Sequence, residues 1–390
     1  MKKVLTILFA MMTLSASAEW PSVMVDSLTY EIRNYGDGKV SVLATTLQRP
    51  DIAPWGDIVI KDHVILDGEI YDVDELSISI RYSGQKVILP NTIKSVISIG
   101  NGAKVENISE SLENIFHEGL AGTELPEYVE MPSIKIIGRM AFAATKGVRK
   151  IMFGPNMSVI GIHAFLGSEV SEITFEEGVY NDYALGGSPF ISNNAIICAD
   201  NIKELKLPKW NNLTLGDCFV GWCENLERVV FPDLYSVRYG YCIEYSDRLI
   251  MDMDIPVYGY FFKDCPKLKE IVCMGETPIE ITNIDNFKEK NQWVDNTAEE
   301  FTFMDNIDEC VLKVPAGSEE LYRAHPVWGR FQTILGFENG DYDLVSINSV
   351  KADENSEPVY YNLQGIEVKD PVRGQLYIRK AGAETTKVII

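Results

Sequence analysis

Apolar positions recur along the chain in one short pattern. Val148-x-x-Ile151-x-Phe153 is followed by Val170-x-x-Ile173-x-Phe175, Ile202-x-x-Leu205-x-Leu207, Leu226-x-x-Val229-x-Phe231 and Leu268-x-x-Ile271-x-Cys273. The alternation at its end predicts a short strand with one face buried. Between the strands lies a second pattern. Ile137-Gly138-Arg139-Met140-Ala141-Phe142 returns 23 residues later as Ile160-Gly161-Ile162-His163-Ala164-Phe165. A fixed period of twenty-odd residues marks a repeat architecture, because such units bury their apolar edges only by stacking. The expectation is a solenoid, α/β to mostly β, of about 20–24 residues per turn.

Punctuation supports this. Leu89-Pro90, Met131-Pro132, Leu207-Pro208 and Phe231-Pro232 each close a strand, and Gly154-Pro155 does so in another copy. Proline cannot donate to a strand ladder, so it ends the strand and turns the chain. An apolar pair and a glycine follow, as in Ile136-Ile137-Gly138 and Val159-Ile160-Gly161. The glycine fits a corner where a side chain is costly. Phe142, Phe165 and Phe219 are then expected between the layers. The period is imperfect. Ile173 and Leu205 lie 32 residues apart, which implies an insertion within 177–189. Val229 and Ile271 lie 42 apart, which fits two copies, the middle one through Leu249-x-Met251.

The flanks differ. Residues 1–18 have a Lys2-Lys3 start, an apolar Val4–Leu14 run and Ala16-Ser17-Ala18, the order of a secretory signal peptide cleaved before Glu19. Residues 19–86 alternate like strands, with Asp67-Gly68 as a hairpin turn, and form a β-rich N-terminal cap. The solenoid is expected over 87–337. Cys310–Pro315 is its last strand, Ser318–His325 a closing helix, and Trp328 and Phe331 cover its end. Residues 275–309 read as an irregular surface insertion, 338–357 as a polar linker, and 358–390 as a small β unit.

The formal charge of −22 makes nucleic acid and anionic membranes poor partners. Downstream of the leader no apolar run approaches the roughly 20 residues of a spanning helix, so membrane insertion of the mature chain is not expected. Seven cysteines give at least one unpaired thiol in an oxidising compartment. Cys218, Cys223, Cys265 and Cys273 fall at or beside core positions and read as buried thiols, with disulfides and metal ligation as the alternatives.

Two surfaces stand out as candidates. If Ile151 and Phe153 point inward, the outward residues are Lys150 and Met152, then Glu172 and Thr174, Glu204 and Lys206, Arg228 and Val230, and Glu270 with Val272. This is either a mixed-charge binding face or a ladder of cross-strand charge pairs, and pairing is the simpler account. Trp222, Tyr235, Tyr239, Tyr241, Tyr245, Tyr258 and Tyr260 form a possible aromatic binding patch; the alternative is that half of them fill turns. The four histidines lack metal-ligand spacing, and no nucleophile elbow, dinucleotide loop or P-loop is present. No cofactor and no catalytic role are expected.

Taken together, Ile-Gly-x-x-Ala-Phe at 137–142 and 160–165, with the Leu/Phe-Pro strand exits, resembles the BspA-like leucine-rich repeat proteins, exported surface proteins of Bacteroidetes-type bacteria. Val59-Ile60-x-Asp62-His63-Val64 with Gly68-x-x-Tyr71-x-Val73 resembles the family's lead-in. Val314-Pro315-Ala316-Gly317-Ser318 with Pro326-Val327-Trp328-Gly329 resembles its closure, and Tyr361-Asn362-Leu363-Gln364-Gly365 a shortened C-terminal sorting domain. The resemblance implies a right-handed solenoid, exposure outside the cell, and adhesion to or binding of an extracellular protein or glycan. A structural surface component without a dedicated ligand, or a carbohydrate-active enzyme, are the alternatives.

Overall fold

The computed structural model describes residues 21–34, 40–46, 51, 53–176, 189–210, 213–240, 259–283, 302–338, 341–342, 359–361, 367–368, 376–381 and 384–389. The leader at 1–18 lies outside them. The chain divides into two units, 1–342 and 343–390. Within the second, Glu367–Val368, Val359–Tyr361, Leu376–Ala381 and Glu384–Ile389 make a four-stranded antiparallel sheet in that order.

The first unit is a strand-rich coil, and α-helix among the described residues is confined to Glu319–Ala324. One long sheet of twelve strands runs along it. Its start is antiparallel, Ser22–Val25 against Leu28–Asn34 against Val40–Thr45. From Val40–Thr45 onward every pairing is parallel, through Glu75–Ile78, Ser95–Ile99, Asn114–Ile115, Ile136–Ile137, Val159–Ile160, Phe190–Ile191, Thr214–Gly216, Ser236–Gly240 and Glu280–Asn283. The parallel ladder therefore reaches into the 19–86 segment. The hairpin His63–Leu66 with Glu69–Asp72 turns at Asp67 and Gly68, whose φ values of 52° and 81° suit a tight right-twisted hairpin.

The Leu-x-x-Ile-x-Phe strands build a second face. Tyr128–Met131, Lys150–Phe153 and Glu172–Phe175 pair in parallel, and so do Glu204–Lys206, Arg228–Phe231, Glu270–Cys273, Val311–Pro315 and Thr333–Phe337. Three expectations change here. The segment 275–309 is not wholly an irregular surface insertion, because Glu280–Asn283 and Thr302–Met304 pair as strands of the coil and Ile279, Phe303 and Met304 are buried. Val311–Pro315 is not the last strand, because Thr333–Phe337 pairs with it beyond the closing helix. Val229 pairs directly with Ile271, so the 42-residue step from one to the other is one coil and not two. The expected middle copy at Leu249 and Met251 lies outside the described residues, and no strand stands between these two for it to fill.

The turn side explains the Gly-x-x-Ala-Phe pattern. Met140, Phe142 and Ala144 donate backbone N–H groups to Ile162, Ala164 and Leu166 of the next coil. His163, Phe165 and Gly167 donate in the same way to Asn194, Ala195 and Ile197. Aiming donors and acceptors along the stack bends the backbone into the left-handed region twice per coil. Met140 and Ala144 have φ of 54° and 53°, Asn194 and Cys198 50° and 52°, Cys218 and Trp222 49° and 51°. The motif glycine is required for a different reason than freedom of φ. A Cβ on Gly161 would stand 2.6 Å from Arg139 N, and one on Gly216 2.2 Å from Asn193 N. These residues let the coils close to strand spacing. His163, with φ of 57°, is mostly buried here, and that burial, with the nearby Arg139 charge, lowers its pKa.

Stacking the coils lines up the core. Ile151, Phe153, Ile173, Leu205, Leu207, Val229, Phe231 and Ile271 belong to one buried cluster, with Phe175 packed against it. Phe142 and Phe165 stack at 5.3 Å with an interplanar angle of 3°. Phe219 is buried but one place out of the expected column. Ile196 N donates to Phe219 O and Val220 pairs with Phe262, so Val220 and Phe262 follow Phe165 and Ile196. Phe219 and Phe261 instead stand where Ala164 and Ala195 stood, and they pack at 5.7 Å, T-shaped. The end is closed by the helix Glu319–Ala324, whose Tyr322 hydroxyl donates to Gly275 O at 2.8 Å, and by Trp328, whose Nε1 donates to Ile279 O at 2.8 Å. Five of the six described cysteines are buried free thiols; Cys198 is exposed, and Cys242 lies outside the described residues. Burial, with the Glu270 charge adding, pushes the Cys310 thiol up to about 12, and burial raises Cys218 and Cys273 as well. Such thiols stay protonated and pack as small hydrophobes.

Phe153 is fully buried, so Phe153→Ala should lower unfolding stability by about 3–5 kcal/mol, as truncation of a core aromatic does. Phe116, 42% exposed, is the control, and Phe116→Ala should move the urea midpoint far less. Equal effects of the two substitutions would contradict the register.

Candidate functional site

The outward residues of the second face meet across strands. Lys150 stands opposite Glu172 and Met152 opposite Thr174. Glu204, Arg228 and Glu270 stand in line, as do Lys206, Val230 and Val272. The charges pair along these rows. Lys150 Nζ lies 2.5 Å from Glu172 Oε1. In the later coils the pairs join into one network. Lys206 meets Glu204 at 3.2 Å, Glu204 meets Arg228 at 3.0 Å, Arg228 bonds Glu270, and Glu270 meets Lys313 at 2.7 Å. The parallel register puts opposite charges about one strand spacing apart, and ion pairing follows from that placement.

The chain itself covers part of this face. Val230 was expected to point into solvent, and it is buried, at 5% exposure, with Val272 and Phe337. The reason lies in the closing residues, with Met274 and Tyr342 packed against this small cluster. The Tyr342 ring lies 5.3 Å from the Arg228 guanidinium and 5.9 Å from Lys206 Nζ, and its carbonyl accepts from Lys313 Nζ at 2.9 Å. Lys313 is left only 7% exposed. Beside the network an open depression of about 530 Å³ is lined by Lys203, Glu204, Glu227, Arg228, Pro266, Lys267, Lys269 and Glu270. Among the described residues the earlier end of the face, at Lys150, Met152, Glu172 and Thr174, carries no such cover: Glu172 is exposed and the other three half-buried. Tyr128, 47% exposed, stands opposite Lys150.

Of the aromatic candidates, the structure corrects one, Tyr239, and leaves Trp222, Tyr235 and Tyr260 at the surface. Tyr239 is in the core at 8% exposure, because its register opposite Leu215 turns it inward. Its hydroxyl donates to Asp217 Oδ1 at 2.5 Å, and burial, with that carboxylate beside it, raises its pKa. Tyr235 is 86% exposed, whereas Trp222 and Tyr260 are half-buried. Trp222 lines a depression of about 410 Å³ with Glu224, Asp264, Cys265, Pro266, Asp305 and Asn306. Lys263 Nζ lies 4.5 Å over the Tyr260 ring and 3.0 Å from Asp305. Tyr241, Tyr245 and Tyr258 lie outside the described residues.

Asp217 was missed in the sequence. It is 1% exposed, and its Oδ1 also accepts from Gly259 N at 2.7 Å and Tyr260 N at 3.2 Å. One carboxylate thus ties the residues on both sides of 241–258 to the preceding coil. The signal was its place directly after Gly216, where Arg139 and Ile162 follow the glycines of other copies. Among the described residues no group of three or more His, Cys, Asp or Glu is placed to hold a metal. No described helix is long and apolar enough to cross a membrane.

Residues 83–188 and 113–250 match the family of BspA type leucine rich repeat regions, in six copies. This stretch of the chain is a BspA-type leucine-rich repeat region. The BspA-type region accounts for the Gly-x-x-Ala-Phe turns and proline exits described above. No curated protein sequence matches the chain. Among solved structures it is similar to a leucine-rich repeat protein from Bacteroides ovatus, at 13% identity over 82% of this chain and 89% of that one, with a TM-score of 0.30. It is also similar to a leucine rich cell surface protein from Faecalibacterium prausnitzii, at 12% identity over 69% and 96%, with a TM-score of 0.28. A third is the pneumococcal vaccine antigen PcpA, at 12% identity over 82% and 100%, with a TM-score of 0.30.

The two halves of the charged face should respond differently to mutation. Glu270→Ala strands the nearly buried Lys313 and should cost about 2–4 kcal/mol of unfolding free energy, somewhat under the range for a fully buried pair because Glu270 is 20% exposed. Glu172→Ala removes an exposed pair and should cost no more than about 0.5 kcal/mol. Denaturant titrations of both variants check this, and a Glu270 variant as stable as the parent would mean that the network is not formed.

Proposed function

We propose that this chain is an exported surface protein whose BspA-type solenoid is a non-catalytic scaffold for binding an extracellular protein or glycan. The observation that carries the reading is the six-copy BspA-type region itself. Its parallel strands set residues of successive coils side by side, so a long ligand can be met at repeated spacing. The leader-like order of residues 1–18 supports export, and the open outward positions Lys150, Met152, Glu172 and Thr174 supply contact surface. One observation favours the other reading, of a structural surface component. The charges from Glu204 to Lys313 satisfy one another and lie under Tyr342.

Two measurements on the native producer and the purified mature chain test this. Mass spectrometry should find Glu19 at the N-terminus of protein shaved from intact cells by protease. An array of extracellular-matrix proteins and glycans should then show saturable binding. An intact Met1 in the cytoplasmic fraction would overturn export, and a silent array would leave the structural component as the better account.

A further inference from the structure

We infer that the Pro54-Trp55-Gly56 corner is a sugar-stacking platform, in which the open face of the Trp55 indole takes the C–H face of a neutral hexopyranose ring. This deepens the binding function proposed above and rests on it. Trp55 is 75% exposed, on a chain whose other described tryptophans are buried or half-buried. A large indole left in water is an unusual use of apolar surface. It is also held rigidly. Arg81 Nε and Nη2 donate to Ala53 O at 2.8 and 2.6 Å, and Nη2 also donates to Asp51 O at 2.5 Å. The fully buried Gln85 amide donates to the carbonyls on either side of the tryptophan, Pro54 O and Gly56 O, both at 2.7 Å. Its own Oε1 accepts from Arg81 N at 2.7 Å. Tyr82 Oη donates to Trp55 O at 3.2 Å.

Side chains of three residues thus spend their donors on five carbonyls, that of Asp51 and those of Ala53 to Gly56, around one exposed ring. A surface loop that merely connects two strands needs no such pinning, whereas a binding group gains affinity from being ordered in advance. The Arg81 guanidinium lies 4.4 Å over the ring centroid and covers one face. Among the described residues the ring is otherwise exposed, which leaves the other face for a ligand. Polar groups stand beside it, with the Tyr82 hydroxyl on the Trp55 carbonyl and the Gln85 amide on that of Gly56. A flat apolar face with polar groups beside it matches a pyranose, whose ring presents C–H groups on one side and hydroxyls at its edge. It matches a protein hot spot poorly, since those sit at the desolvated centre of a larger apolar patch. The charge of −22 disfavours acidic sugars and selects neutral ones.

Isothermal titration of the mature chain with cellopentaose, laminaripentaose, mannopentaose and chitopentaose tests the assignment. At least one should saturate. Trp55→Ala should then weaken it by about tenfold or more, and Trp55→Tyr, which keeps a flat ring, should hold within about fivefold. Phe116→Ala, a second exposed aromatic, should change nothing. Trp55 is exposed, so the melting midpoints should coincide and report that folding is intact. The assignment is overturned if none of the four sugars binds the parent chain, or if one binds and Trp55→Ala leaves its affinity within about twofold. The latter result would place the sugar elsewhere and leave the broader binding function standing. Loss of binding to a matrix protein in Trp55→Ala, with all four sugars silent, would also overturn it.

Discussion

Backbone hydrogen bonds passed from each coil to the next are the constraint on which the rest of this protein depends. On the strand faces an ordinary parallel ladder satisfies it. On the turn side the chain must reverse direction and still aim its N–H groups along the stack. It does so by placing two left-handed residues per coil, at Met140 and Ala144, Asn194 and Cys198, and Cys218 and Trp222. Such backbone costs energy at non-glycine residues and persists because the neighbouring coils hold it. The motif glycines sit two residues earlier and serve the same ladder by letting coils approach. Once coil spacing is set, the phenylalanine stack and the paired charges follow from it.

The sequence pattern made much of this legible. Strand positions, proline exits, the closing helix and the inward residues from Ile151 to Ile271 all follow from spacing, because a period of two or of twenty-odd residues is a local property. What was not legible depended on chain far away. Val230 alternates outward correctly and is nevertheless buried, because Phe337 and Tyr342 return over it from about a hundred residues downstream. Tyr239 reads as one more surface tyrosine until its register opposite Leu215 is known. Phe219 and Val220 shift by one place against Phe142 and Phe165, and both arrangements contain a glycine and an aromatic. The 42-residue gap divides evenly into two periods, and only pairing reveals that Val229 and Ile271 are neighbours.

The same register gives the candidate surface its character. Opposite charges brought to strand spacing neutralise one another, so the face from Glu204 to Lys313 is better suited to holding the sheet together than to capturing a charged ligand. Recognition is then expected where ordered side chains are left open to solvent. The open Lys150 to Thr174 end and the pinned Trp55 corner are such places, and among the described residues no closing residue returns over them.

The most direct test of the account is a cross-link between coils. Glu227 and Lys269 immediately precede the paired Arg228 and Glu270, and both are exposed. In a Cys198→Ser background, Glu227→Cys with Lys269→Cys should form a disulfide on mild oxidation, found by peptide mapping, because adjacent strands lie about 4.8 Å apart. If a further coil stood between them, the separation would be roughly 10 Å, beyond the ~7 Å that a disulfide can bridge. A pair that stays reduced in the folded protein would contradict the single-coil stacking on which the whole arrangement rests.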